Sequence, residues 1–254
     1  MRLISLNAWG GRALYPLIRF FQRQAGPTDI FCLQEVFDTD QASVDARHPD
    51  EYLCGDLFRK ISAVLPDHAG IFAAFDDNPH RQSLAVFLRR SIAVKNTGDL
   101  VVYQPAVPKE SGSQIISSRK LQHVSFESGG REFTVVNFHG LWNGGPKTDS
   151  PERLAQAANV KRFMDGIAGP KMLCGDFNLL PDTESLRIME DGLTNLVRTN
   201  GVRSTRTALY RKHDDPADPK FADYMLVSPD IKVKSFEVLP DLVSDHAAMS
   251  LDFS

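Results

Sequence analysis

Four short runs place groups that can bind metal or move protons beside apolar stretches. Leu173-Cys174 leads into Gly175-Asp176-Phe177-Asn178, and Ser244-Asp245-His246 leads into the apolar run to Phe253. Phe31-Cys32-Leu33-Gln34-Glu35 ends on a carboxylate, and Val135-Val136-Asn137-Phe138-His139 ends on an imidazole. Apolar runs of this length read as buried strands, so each polar group falls at a strand end, where functional loops gather. Hard cations such as magnesium take carboxylate and amide oxygens, keep several waters and need only one or two protein carboxylates. A phosphoester's anionic oxygens repel nucleophiles, and a cation relieves that repulsion. The residue types therefore point to metal-dependent phosphoester hydrolysis.

Taken singly, each residue has an ordinary explanation. A glutamate after a strand is commonly a surface group, Asp-Phe-Asn can be an Asx turn, and Asp-His a helix-capping pair. A histidine after a strand is often just hydrogen-bonded. What argues for a site is that Glu35, Asp176, Asp223 and Asp245, with Asn7, Asn178, His139 and His246, all stand beside apolar runs of one chain.

The elements that must position them alternate. A strand over Arg2 to Leu6 is followed by a Gly10-Gly11 turn and a helix from Tyr15 to Gln24, stopped at Gly26-Pro27. The next strand is Asp29 to Leu33. Residues 38–56 are polar and rich in aspartate, and read as a surface insertion that is either a solvated loop or a lid or specificity loop. A helix over Leu57 to Leu65 follows. Strand-like runs recur at 70–74, 83–88, 92–102, 121–126 and 133–138, the last two joined by a Gly129-Gly130 hairpin turn. A helix from Pro151 to Ile167 begins on proline, as first-turn geometry favours. Strands at 172–174, 224–227, 233–238 and 247–253 complete the chain. So many strands interleaved with helices, without repeat or linker, predict one domain over residues 1–254, of two packed sheets flanked by helices.

Composition excludes little and steers a little. The 254 residues carry 42% hydrophobic and 24% charged residues, the profile of a soluble globular protein, and a net charge of −3. A dedicated duplex-binding domain usually shows a basic surplus, which is missing. Cys32, Cys54 and Cys174 lack the clustered spacing of zinc ligands. The start lacks a signal peptide's apolar core, and no run of roughly 18 apolar residues could span a bilayer, so a cytoplasmic location is expected.

The motifs Leu33-Gln34-Glu35, Gly175-Asp176-Phe177-Asn178 and Ser244-Asp245-His246, in that order, resemble the endonuclease/exonuclease/phosphatase superfamily of deoxyribonuclease-like phosphoesterases. The resemblance covers nearly the whole chain and implies an α/β four-layer sandwich of two mixed β-sheets flanked by helices. It implies Mg²⁺ or Mn²⁺ held by Glu35, with Asn7 and Asp245 beside the same ion. Asp176 would position or deprotonate the attacking water, its pKa raised by burial and neighbouring acids if it is the base. Asn178 would steady water and phosphate, His246 with partner Asp223 would contact the scissile phosphate, and His139 would assist the leaving oxygen. Arg119 resembles a phosphate-contacting arginine.

Beyond the shared core, Trp142 and Asn143 sit in a loop at the expected mouth, where Trp142 either stacks on substrate or packs beneath the loop. Arg203, Arg206, Arg211 and Lys212 form a basic cluster that is either solvated or reaches the cleft rim to clamp a second phosphate. The expected substrate is a small or lipid phosphoester; a nuclease is the alternative, and a silent binding module of the same fold a third reading. No stable membrane insertion and no protein partner is expected.

Overall fold

The structure is a computed structural model that describes residues 1–75, 81–105 and 118–254, with the backbone alone of 109–111 and 114–116. Its strands are β1 (Arg2–Asn7), β2 (Ile30–Val36), β3 (His68–Ala73), β4 (Ser83–Arg89), β5 (Ala93–Tyr103), β6 (Lys109–Ser111) and β7 (Gln114–Ile116). They continue with β8 (Arg119–Ser128), β9 (Arg131–His139), β10 (Lys171–Asp176), β11 (Thr194–Asn195), β12 (Asp223–Val227), β13 (Val233–Val238) and β14 (Met249–Phe253). The helices are α1 (Leu14–Gln24), α2 (Gln41–Arg47), α3 (Leu57–Val64), α4 (Pro151–Asp165), α5 (Glu184–Glu190) and α6 (Leu196–Thr199). Two six-stranded sheets result, ordered β13-β14-β1-β2-β4-β3 and β11-β12-β10-β9-β8-β5, with β6-β7 as a small separate hairpin.

Both faces of the first sheet are covered, which explains its unbroken apolar strands. In β2, Ile30 and Cys32 face the second sheet, whereas Phe31 and Leu33 face the helices α1 and α3. Helix α1 presents Leu17, Phe20 and Phe21 to that outer layer, one helical face at i, i+3 and i+4. On the far side of the second sheet α4 buries Ala157, Val160 and Met164. Ser150 caps α4 by accepting the Arg153 N–H, and Pro151 opens its first turn. The layers are thus helix, sheet, sheet, helix.

Strand direction decides where the site lies. β1 and β2 run parallel, joined by a crossover through α1, and β9 and β10 run parallel through α4. β14 and β12 are antiparallel to their neighbours, so their beginnings lie with the ends of β1 and β10. The Gly129-Gly130 turn, with φ of 58° and 75°, closes the β8-β9 hairpin as a two-residue turn of positive φ must.

The 38–56 insertion is more ordered than a plain solvated loop. It carries α2, whose Asp40 cap accepts the Ser43 N–H, and it rests on the turn after β1 through Cys54 N–H to Gly10 O at 2.8 Å.

Candidate active site

Sheet register brings the strand ends together. Asp176 pairs with His139 on one side and Asp223 on the other, all in the second sheet. Asn7 and Glu35 end β1 and β2 in the first sheet, and Asp245-His246 stand just before β14. The residues from 205 to 207 run against 245 to 247, with Ala247 N–H on Thr205 O at 2.9 Å and Thr207 N–H on Asp245 O at 3.1 Å. Glu35, Asp176, Asp223, Asp245, Asn7, Asn178, His139 and His246 therefore converge at one end of the two sheets.

The backbone is bent to make this possible. Glu35 and Asn178 have φ of 55° and 54°, in the left-handed region that costs a non-glycine residue of order 1–3 kcal/mol. At Glu35 the β2-β4 register also shifts between Leu33 and Val36, the mark of a bulge that re-aims a side chain. Gly175, with φ of 139°, lets the end of β10 approach β9: a Cβ there would lie 2.0 Å from the Phe138 carbonyl oxygen.

Hydrogen bonds fix the polar groups. The Asn7 amide donates to Glu35 Oε1 at 3.1 Å and to Asp176 Oδ2 at 3.0 Å, while Asp176 Oδ1 accepts the Asn178 N–H at 2.9 Å. His246 Nδ1 meets the two Asp223 oxygens at 2.8 and 2.9 Å, leaving Nε2 3.5 Å from Asp176 Oδ2. Burial opposes the His246 cation, as does Arg206, yet Asp223, Asp176 and Asp245 outweigh them and raise its pKa. Burial also acts on His139, and with Arg119 nearby it drives that pKa down to about 3, so His139 is neutral at pH 7. Asp176 departs from the raised pKa expected of a base. Burial pushes it up, but His246, His139, Arg206 and Lys147 prevail, and the carboxyl is held below its ordinary range.

Two clusters have the donors a cation needs. Glu35, His139 and Asp176 lie with one ligand atom each within 4.8 Å of one another, and so do Asp176, Asp223 and His246. The second is already joined by its own Asp–His hydrogen bonds. In the first, His139 Nε2 stands 3.9 Å from Glu35 and 3.7 Å from Asp176, and burial raises the Glu35 pKa. Glu35, half-buried, and Asp176, buried, offer the carboxylate oxygens that a hard divalent cation takes, and the neutral His139 imidazole puts no positive charge beside them. Asp245 has one oxygen on Arg206 at 2.9 Å, and its other, Oδ1, is buried without a hydrogen bond among the described residues, 3.8 Å from His246 Nε2.

A model of the endonuclease/exonuclease/phosphatase family matches residues 4–246. This chain belongs to the endonuclease/exonuclease/phosphatase family. It is 27% identical to mouse protein angel homolog 2 over 183 residues, spanning 66% of this chain and 29% of that relative. Among solved structures it resembles a Bacteroides thetaiotaomicron mannosyl-6-phosphatase with a TM-score of 0.73 at 20% identity, covering 100% and 99% of the two chains. It also resembles the human nocturnin catalytic domain, solved with bound sulfate, with a TM-score of 0.65 at 18% identity, covering 100% and 94%. Family members are phosphoester hydrolases, and the acidic and histidine cluster of this member fits metal-dependent hydrolysis.

Around that family core the remaining residues divide. Arg119 is close enough to feel Glu35 and Asp176, and its buried Nε has no partner among the described residues. Trp142 is half-buried in the loop after His139. Asn143 Oδ1 is engaged within that loop by Gly145 N–H at 3.3 Å and Arg153 Nη2 at 3.2 Å. The basic cluster is split. Arg203, Arg211 and Lys212 are exposed, whereas Arg206 is only 9% exposed, drawn in beside His246 and bonded to Asp245. Arg206 is therefore not the rim residue that its sequence surroundings suggest.

Several contributors escaped the sequence. Gln34 donates to Asn137 Oδ1 at 2.7 Å across the sheets, and Asn137 donates to Leu33 O at 2.9 Å, a buried bridge beneath Glu35 and His139. Polar residues inside the apolar runs before Glu35 and His139 were its signal. Arg153, in the first turn of α4, laces the 140–148 loop by donating to the carbonyls of Leu141, Pro146 and Thr148. A cation at a helix start, against the dipole, marks such an anchoring residue. Lys147 lies by Arg206; burial first, then that neighbour, lowers its pKa to about 8.

Proposed function

We propose that this chain is a divalent-metal-dependent hydrolase of phosphoester bonds, using Mg²⁺ or Mn²⁺ and direct attack of water on a small or lipid phosphoester. The 254 residues act in this reading as one catalytic domain. The observation that carries it is the approach of Glu35, His139 and Asp176 from two sheets into one cluster, with Asp176 buried, whose carboxylates no described lysine or arginine pairs with.

Glu35 and Asp176 would hold the cation, with Asn7 beside them and Asp245, whose Oδ1 makes no hydrogen bond among the described residues, near Glu35. When bound, the ion supplies positive charge that offsets the charge developing on the phosphoryl oxygens. Asp176 stays anionic and, gripped by Asn7 and the Asn178 N–H, orients the attacking water. Asn178 steadies water and phosphate. His246, held as the cation by Asp223, points its Nε2–H at the position of a phosphoryl oxygen. His139, neutral, stands next to the leaving oxygen, and Arg119 with its spare Nε–H faces the phosphate. Trp142, Asn143 and Arg206 complete the proposed substrate-binding surface.

A small substrate accords with the net charge of −3. The deciding assay sets an aryl phosphodiester, an aryl phosphomonoester, single-stranded and duplex DNA, and a phospholipid panel against chelated and metal-restored protein. Cleavage restricted to small or lipid esters and restored by Mg²⁺ or Mn²⁺ is expected. Full activity after thorough metal removal overturns the metal-dependent reading, and preferred cleavage of DNA overturns the substrate class.

A further inference from the structure

Lys147 is tied to both halves of the second sheet's motif. Its carbonyl accepts the Leu180 N–H at 2.9 Å, two residues past Asn178. Its ammonium donates to the Phe221 carbonyl at 3.1 Å, two residues before Asp223. That is its sole hydrogen bond from the side chain among the described residues, and an ammonium has three donors. The same Tyr210 ring that lies 5.9 Å from Lys147 Nζ lies 4.6 Å from the Arg206 guanidinium. Arg206 is 9% exposed, gives one Nη1 bond to Asp245, and keeps a buried Nε with no partner among the described residues.

Lys147 and Arg206 lie against one ring and repel each other; Asp176 and Asp223 act on both through space, but only Arg206 is hydrogen-bonded to a carboxylate, that of Asp245. The spare donors of both suit an anion with several oxygens. A phosphoryl group has that chemistry, and charge-assisted bonds to it are the strong kind. The wall stands on the flank of the Asp223–His246 pair, since Arg206 is backbone-paired with His246 and Lys147 is bonded beside Asp223. The Glu35–His139 cluster is on the other side of Asp176.

We propose that Lys147, Arg206 and Tyr210 form a second anion subsite, and that the natural substrate carries two phosphoryl groups, one cleaved and one held here. The second clause rests on the hydrolase reading; the subsite does not. A lysine that merely secures the loop by capping Phe221 would leave anion preference untouched, and this difference is measurable.

The probes are inorganic pyrophosphate and orthophosphate, titrated calorimetrically into the full chain with equal Mg²⁺ in cell and syringe. The wild-type protein should bind pyrophosphate at least about tenfold tighter, roughly 1.4 kcal/mol. Lys147→Gln should shrink that preference to within about threefold, and Lys147→Arg should keep most of it, because the charge and donors remain. A wild-type protein with no pyrophosphate preference overturns the subsite without recourse to any variant. So does a Lys147→Gln protein that melts normally and retains the full preference, or one that loses both anions equally. If the protein hydrolyses no phosphoester with any metal, the hydrolase reading falls while the titration still decides the subsite.

Discussion

Asn7 reaches from the first sheet to the second: its side-chain amide donates to Asp176 Oδ2 at 3.0 Å. Asp176 is thereby held in one orientation before anything binds, with Asn178 fixing its other oxygen. Asp176→Asn would keep the shape, lose the charge and reverse one hydrogen-bonding end against Asn7. Turnover should fall by about a hundredfold or more, with the loss mainly in kcat because the group matters most in the transition state. Steady-state kinetics on an aryl phosphodiester measures this, and a near-normal kcat removes Asp176 from the mechanism.

Glu35 is the carboxylate whose loss should be felt in metal binding rather than in folding. In the metal-free protein Glu35→Gln relieves charge crowding with Asp176 and Asp245, so its melting temperature should match or exceed that of the wild type. Added Mg²⁺ or Mn²⁺ raises the melting temperature of a protein that binds it in the native state. The wild type should show that rise and Glu35→Gln should lose most of it. Equal rises in both proteins would take Glu35 out of the metal site.

Gly175→Ala tests the local geometry of the Gly-Asp sequence. The added Cβ meets the Phe138 carbonyl oxygen at 2.0 Å and the backbone is at φ of 139°, so β10 must shift against β9. A loss of several kcal/mol, or a failure to fold, is the expected result for strain and overlap of this kind. A Gly175→Ala protein that unfolds at the wild-type denaturant midpoint would contradict the close approach.

His68 sets a pH dependence away from the site. Its Nε2–H donates to the Thr28 carbonyl at 2.9 Å, and its Nδ1 is buried with no partner among the described residues. Burial lowers its pKa below 6.5. As pH falls past about 6.5 the unfolded chain takes up a proton first, so His68's contribution is present above that pH and is lost as pH drops through the folded value. Melting temperatures at pH 7 and pH 5 should fall more for the wild type than for His68→Gln, which keeps a donor for Thr28 without titrating. Parallel losses in the two proteins would refute the assignment.

Strand-end carboxylates and imidazoles were legible because apolar runs announce buried strands and the polar residue at their end breaks the run. Glu35, His139, Asp176 and His246 all carry that mark, and the two-sheet architecture followed from the alternation of strands and helices. Helix α2 left no such trace: it has seven residues, one of them, Val44, buried, and its Asp40 cap lies among other aspartates. Helices α5 and α6 are as short and went unread. Arg206 shows a different limit. Four basic residues within ten positions look alike in sequence, and it is the pairing of 205–207 with 245–247 that turns one of them inward. Long-range partners, not local composition, determine such a residue's surroundings. Lys147 was hidden for the same reason, since its contacts at Phe221 and Tyr210 lie more than sixty positions away.

The place of β14 in the first sheet has a consequence for synthesis. This strand, Met249–Phe253, lies between β13 and β1, pairing Leu3 with Leu251 and Arg2 with Asp252. While residues 8–248 are made, one edge of β1 is therefore bare, a row of unpaired amides open to other strands. His246 emerges just ahead of β14, three residues before Met249. A nascent chain halted before it would hold Asp223 without its imidazole and β1 without its neighbour. Closure of this edge of the sheet and arrival of the Asp223 partner therefore coincide.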